Sequence, residues 1–372
     1  MPKKVALLSF SFVALASLAG AAPASAQGPG ADAFEAQYPE VHALVLATQE
    51  VQGRLLDLLA TELVEHATIL PEAGGPGGEH ADHPETGREM MLEAGREELE
   101  AYGDLLRELR SLAASGDRVP TPRTAPPGES GVTPRLRETV ARTQTLLREM
   151  LDIYADTRIF DKYAAVDRVV AEYRSDPERA LPVLPKSMAL MYLHTYAGTF
   201  GANFSFLQGM TWASSWLQFA AFEPLFLYER AEEQRFGMEI VVDRFWRKLE
   251  APPMGFPTEM PMVPAISPGL RGRHPQVAAI FDNLDVLLAI TTDVVLHPGV
   301  GDKEGTVEAV LDAFTNPEYE IVSLYDWTLM ALRHGIYNQG GPAIGLLDRS
   351  ERNVMVEHAQ HGGGMVLPGM PR

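Results

Sequence analysis

The chain has 372 residues, 46% of them hydrophobic, and a formal net charge of −19. That length and apolar content suffice for a sizeable core, while the negative charge repels phosphate backbones and anionic headgroups and argues against nucleic acid as the partner. Cysteine is absent, which excludes disulfides, thiolate metal sites, c-type haem attachment and a cysteine nucleophile.

Lys3 and Lys4 lead into an apolar run from Val5 to Leu18, and small residues follow, ending in Ala24-Ser25-Ala26. This order predicts a cleaved secretory signal over residues 1–26 and a mature chain that begins at Gln27, in the periplasm or outside the cell. The run is shorter than the roughly 20 apolar residues that span a bilayer, which argues against a retained anchor. No Arg-Arg pair is present in this segment, so ordinary unfolded export is expected rather than a twin-arginine route. Losing Lys3 and Lys4 makes the mature chain still more acidic.

Helical periodicity then dominates. Val41, Leu44, Val45, Val51, Leu55, Leu58, Leu59 and Val64 mark a helix from Pro39 to about Ile69, with Pro39 suited to its first turn. A Gly/Pro-rich stretch from Pro71 to Pro84 interrupts the pattern, because Pro lacks the donor and Gly has the most backbone entropy to lose. A second helix is expected from Glu85 to Ala114, and a third after Pro134, continuing with a bend to Tyr173. The stretches Gly116–Pro134 and Pro252–Pro268 read as loops on the same grounds. A fifth helix follows the uncharged region described next and runs from Pro275 to His297, closed by Pro298-Gly299. A sixth covers Lys303 to Phe314, and a seventh runs from Pro317 to Tyr337. A short helix near Ser350 leads into a Gly/Met tail over 351–372. The expected class is therefore all-α, a bundle of roughly six to eight helices around a central apolar helical segment. Residues 27–350 form the helical domain, with a subdivision near 116–134 left open.

The fourth region contains that central segment. Ser187 to Phe222 holds no Lys, Arg, Asp or Glu, and His194 is its one side chain that titrates near neutrality. A helix that is apolar all round is normally buried on all sides. The same residues also suit a surface for an apolar ligand or a membrane-complex partner, for which Tyr192, Tyr196, Phe204, Trp212 and Trp216 are the candidate contacts. Asn203, Gln208 and Gln218 argue against insertion into hydrocarbon.

Three other constellations could carry chemistry. Glu62 with His66, and Asp293 with His297, each place a carboxylate and an imidazole four residues apart on one helix face. Facing each other, the two pairs would suit a divalent Zn, Fe or Mn ion. The plain alternative is that Asp282, Asp285, Asp293 and His297 form a solvated face. His80 and His83 in the first loop, and His358 and His361 near the C-terminus with Met355, Met365 and Met370, form a copper-compatible set, as do Met254, Met260 and Met262. Asp326, Met330 and His334, stepped by four, could do acid–base work.

No metalloprotease, nucleophile-elbow, P-loop, dinucleotide or EF-hand motif occurs. The sequence therefore points to an exported binding protein that contacts a membrane-associated partner or an apolar ligand through its aromatic segment. The alternatives are a metal-binding protein and a helical enzyme.

Overall fold

The computed structural model describes residues 32–67, 84–115, 132–250, 260–338 and 341–344. The signal segment, His80, His83, Met254, His358, His361 and the Gly/Met tail lie outside the described residues, as does the side chain of His334.

The described chain is all-α, with no strand; one isolated bridge pairs Lys186 with Ile321. A short helix α1 (Ala33–Gln37) precedes α2 (Pro39–Thr61) and a 3-10 turn over Leu63–His66. Next come α3 (Pro84–Ser115), α4 (Pro134–Ala155) and α5 (Lys162–Tyr173). The uncharged region and its charged continuation are cut into α6 (Leu190–Leu193), α7 (Thr199–Asn203), α8 (Ser205–Ala220), α9 (Glu223–Leu227) and α10 (Ala231–Glu250). The chain finishes with α11 (Val263–Ile266), α12 (Pro268–Arg273), α13 (Pro275–Leu296), α14 (Lys303–Thr315) and α15 (Leu324–Asn338). The separate helices thus outnumber the six to eight expected.

Local chemistry accounts for the boundaries. Thr133 caps α4 by accepting from the Leu136 N–H at 3.2 Å, with Pro134 at the first helical position. Asp161 and Asp302 do the same for α5 and α14. Pro264 and Pro268 lie in the first turns of α11 and α12, so part of the stretch read as a loop starts helices instead. The third helix does not continue with a bend to Tyr173 but is fully interrupted between α4 and α5, where Lys162 Nζ donates to the carbonyls of Ile153 and Asp156.

One buried cluster runs from Phe34 to Ile344. Its middle holds two helices rather than one. α8 is buried along most of its length, and α13 lies against α2, α4, α7, α12 and α14. The two meet through Phe219 and Phe281, whose rings stack 6.3 Å apart. The solvated face expected on α13 is a buried one: Asp282, Asn283, Asp285 and Asp293 are 2%, 1%, 9% and 6% exposed. Each of these side chains makes at least one specific hydrogen bond, which offsets part of the cost of burying a polar group. Asn283 accepts from the Lys186 N–H and donates to the carbonyls of Pro182 and Leu184, fastening the proline-rich link to α13. No described helix is long and apolar enough to cross a membrane.

Candidate functional site: a cavity between α7, α8 and α13

A cavity of about 130 Å³ opens between α6, α7, α8 and α13. Met191, Phe200, Trp212, Met260 and Leu288 supply its apolar wall. Its volume is close to that of interior cavities that admit a benzene ring.

The polar part of the wall comes from α8 and α13. Asp285 lines the cavity, and its Oδ1 accepts from Ser215 Oγ at 3.0 Å. Its Oδ2 is closed off from a water-sized probe and has no hydrogen-bond partner among the described residues. Burial pushes the Asp285 carboxyl well above the usual range, with neighbouring Asp282 adding to the shift and the Ser215 hydrogen bond opposing it. Thr211, one turn before Ser215, donates its hydroxyl hydrogen to the Leu207 carbonyl and turns only lone pairs outward.

Behind Ser215 runs a relay of hydrogen bonds. Arg148 donates to Gln49 Oε1, and Gln49 Nε2 lies 3.5 Å from Gln218 Oε1. Gln218 Nε2 donates to Gln52 Oε1 at 2.9 Å, and Gln52 Nε2 donates to Ser215 Oγ at 3.0 Å. The relay joins α4, α2, α8 and α13, and it satisfies groups that the core would otherwise strand.

Asp293 also lines the cavity, but its carboxylate caps α7. Oδ2 accepts from the Gly198 N–H at 2.9 Å and Oδ1 from the Phe200 N–H at 2.7 Å. Gly198 adopts a φ of 82°, a conformation open to glycine at little cost. His194 Nε2 lies 3.4 Å from Asp293 Oδ2, and both ring nitrogens of His194 are buried without hydrogen bonds among the described residues. A separation of 99 positions hid this pairing from any motif, although His194 stood out as the lone titratable group of an uncharged stretch.

The expected aromatic contacts divide. Tyr192 and Trp212 line the cavity. Phe204 and Trp216 are both fully buried in the core and offer no surface to a partner. The reason is packing on every side of α8, where buried Lys248 lies over the Trp212 and Trp216 rings at 5.4 and 4.6 Å. Tyr196 is half-buried against His297, with ring centroids 4.9 Å apart.

The four-residue metal centre is not assembled. Among the described residues no group of three or more His, Asp or Glu side chains could hold a metal ion. The helical spacing fails at both pairs. α2 ends at Thr61, so Glu62 and His66 fall at a helix end and a 3-10 turn, while His297 is an extended cap residue beyond α13. Glu62 and His66 line a separate cleft of about 420 Å³ against α3, with Arg54, Glu100 and Glu108. His297 Nδ1 accepts from the Gly299 N–H. Met262 is fully buried in the core. Asp326 is exposed and accepts from Ser323 Oγ at the start of α15.

No family model, no curated protein and no solved structure matches this chain.

Proposed function

We propose that this is an exported binding protein that takes a small, mostly apolar, non-anionic molecule into the cavity between α7, α8 and α13. The observation that carries this reading is the mostly apolar cavity itself, in which the Asp285 carboxyl, hydrogen-bonded to Ser215, lies beside a few other polar side chains, Gln208, Thr211 and Thr292 among them. A convergent polar group in a preformed apolar cavity is the usual form of a small-molecule site. Among the described residues the lining includes two carboxyl groups and no Lys, Arg or His, which disfavours anionic ligands. The signal-like first 26 residues support export.

The metal and enzyme alternatives have weaker support. Their described carboxylates are engaged in capping, as with Asp293 and Asp326, or lie apart from a third ligand.

The test is titration of the purified protein with matched small neutral and cationic aromatics, read by calorimetry and thermal shift. Saturable binding is expected, and Ala289→Leu, which adds bulk at the cavity wall, should abolish it. Absence of binding across the whole panel, or unchanged affinity in Ala289→Leu, overturns the reading.

A further inference from the structure

We propose that His194 and Asp293 form a latch that tightens in acid and holds the segment from α6 to α7 against α13, so that the cavity retains its occupant at low pH and releases it as pH rises. The effect on an occupant rests on the cavity reading above, whereas the latch stands on its own geometry. The segment forms one side of the cavity, since Met191, Tyr192, Gly198 and Phe200 all belong to its lining. Asp293 fastens it to α13 by accepting from the Gly198 and Phe200 N–H groups. His194 is the extended residue that ends α6, and its Nε2 lies 3.4 Å from Asp293 Oδ2. Its two ring nitrogens are buried and have no hydrogen-bond partner among the described residues. A neutral imidazole has one N–H and one lone pair. It either turns the lone pair toward the carboxylate, which repels it, or offers an N–H across a distance too long for a strong hydrogen bond. A second proton sets an N–H and a positive charge beside the carboxylate, in a half-buried place where salt screens the attraction less.

The surroundings leave this pair in control of the segment. α6, α7 and α8 carry no charged side chain. On α13, Asp285 lies two turns earlier and is bonded to Ser215. Tyr196 packs on both His194 and His297, with ring centroids 6.5 and 4.9 Å apart. His297 is thus a second imidazole of the same cluster, and a proton there adds like charge that opposes the latch. Between about pH 5.5 and 7.5 imidazole changes charge while an ordinary carboxylate does not. Acid therefore adds a cation beside Asp293 without removing the anion that holds Gly198 and Phe200.

The experiment is amide exchange of the ligand-free protein at about pH 5.5 and 7.5, corrected for the intrinsic rate at each pH. Because Asp282 and Glu223 make global stability pH-dependent as well, the readout is a ratio: protection of Gly198 and Phe200 over that of Ala213 and Leu217, which lie deep in α8. The ratio should be about fivefold higher in acid, the worth of a half-buried ion pair, and His194→Gln should erase the difference. A ratio equal at both pH values, or a difference that persists in His194→Gln, overturns the latch. If His194→Gln does not fold, His297→Gln decides: the difference must survive there, and its loss assigns the switch to His297 and overturns the proposal. A second arm follows the release of bound toluene, which should slow in acid by a similar factor. Toluene release independent of pH overturns the gating of the cavity. If the amide result holds and toluene does not bind at all, the latch stands and the cavity reading falls.

Discussion

Trp327 Nε1 donates to Asp282 Oδ2 at 2.8 Å while Asp282 Oδ1 accepts from the Val263 N–H at 2.8 Å, so one buried carboxyl fastens α11 and α15 to α13. Trp327→Phe keeps most of the ring and removes the donor. It should cost about 1–3 kcal/mol, the usual penalty for a buried acceptor left alone, measurable by urea denaturation. A change within error would show that Asp282 needs no partner there.

The same carboxyl gives stability an unusual pH dependence. Burial pushes Asp282 up to about 8 and Glu223 up to about 7, and raises Asp285 as well. In the native state these groups hold protons that the unfolded chain has already lost. Their contribution is therefore complete below the unfolded carboxylate range and disappears as pH rises through the folded values. His274, lowered by burial to about 4, opposes this only below its ordinary 6.5, and Lys186, lowered to about 8, opposes it only above 8. Between pH 6.5 and 8 the melting temperature should therefore fall, by the equivalent of at most about 1.4 kcal/mol per pH unit for each such carboxyl. Asp282→Asn should flatten part of the slope. A melting temperature that rises across this interval would contradict the assignment.

Lys186 is 1% exposed and donates from Nζ to the carbonyls of Ala313, Asn316 and Tyr319 at 3.0, 2.7 and 2.6 Å. It thereby closes the C-terminal end of α14 and the turn that follows. Lys186→Met fills similar space but leaves three carbonyls without this donor, so a loss of about 3 kcal/mol is expected. Amide exchange should accelerate first in residues 316–322. Uniform acceleration would show that the lysine supports the whole fold rather than this turn.

Two glycines of α12 make opposite predictions. A Cβ on Gly269 would lie 2.4 Å from Phe226 Cβ, whereas one on Gly272 meets nothing within 4 Å. Gly269→Ala should push α12 off α9 and destabilise by about 1–3 kcal/mol. Gly272→Ala should be neutral or stabilise by up to about 1 kcal/mol through helix propensity. Thermal melts of the pair decide it, and similar effects at both sites would refute the close approach.

Much of the fold was legible because prolines mark its starts. Pro39, Pro134 and Pro275 each open a helix where expected, and His297-Pro298-Gly299 ends one. Pro264 and Pro268 obey the same rule, but in a dense run of prolines the breaking role masks the starting role. α13 was misread for a different reason. Asp residues at three-to-four spacing resemble a wetted face until one notices that Pro275–Leu296 contains no Lys, Arg or Glu. Long charged side chains are what a surface helix of this length would carry. The aromatic segment reads as one central apolar element, yet its first half is broken at Gly198 and Phe204 and only α8 is a helix buried along most of its length. The cavity itself was not legible, since Ser215 and Asp285 are 70 positions apart and neither belongs to a local motif.

The glutamine relay has a sense that cannot be reversed. Arginine has no acceptor, so Gln49 must turn its oxygen toward Arg148, and each later amide is then fixed in turn until the Ser215 hydroxyl points at Asp285. Flipping Gln49 or Gln218 would set oxygen against oxygen on one side and hydrogen against hydrogen on the other, and flipping Gln52 would set its hydrogens against those of Gln218. The five links therefore behave as a polar cable with its positive end at the cavity wall. Asp285 receives from side chains the kind of partial charge that other carboxylates receive from a helix N-terminus. The arginine that sets this polarity stands four side chains away, on α4.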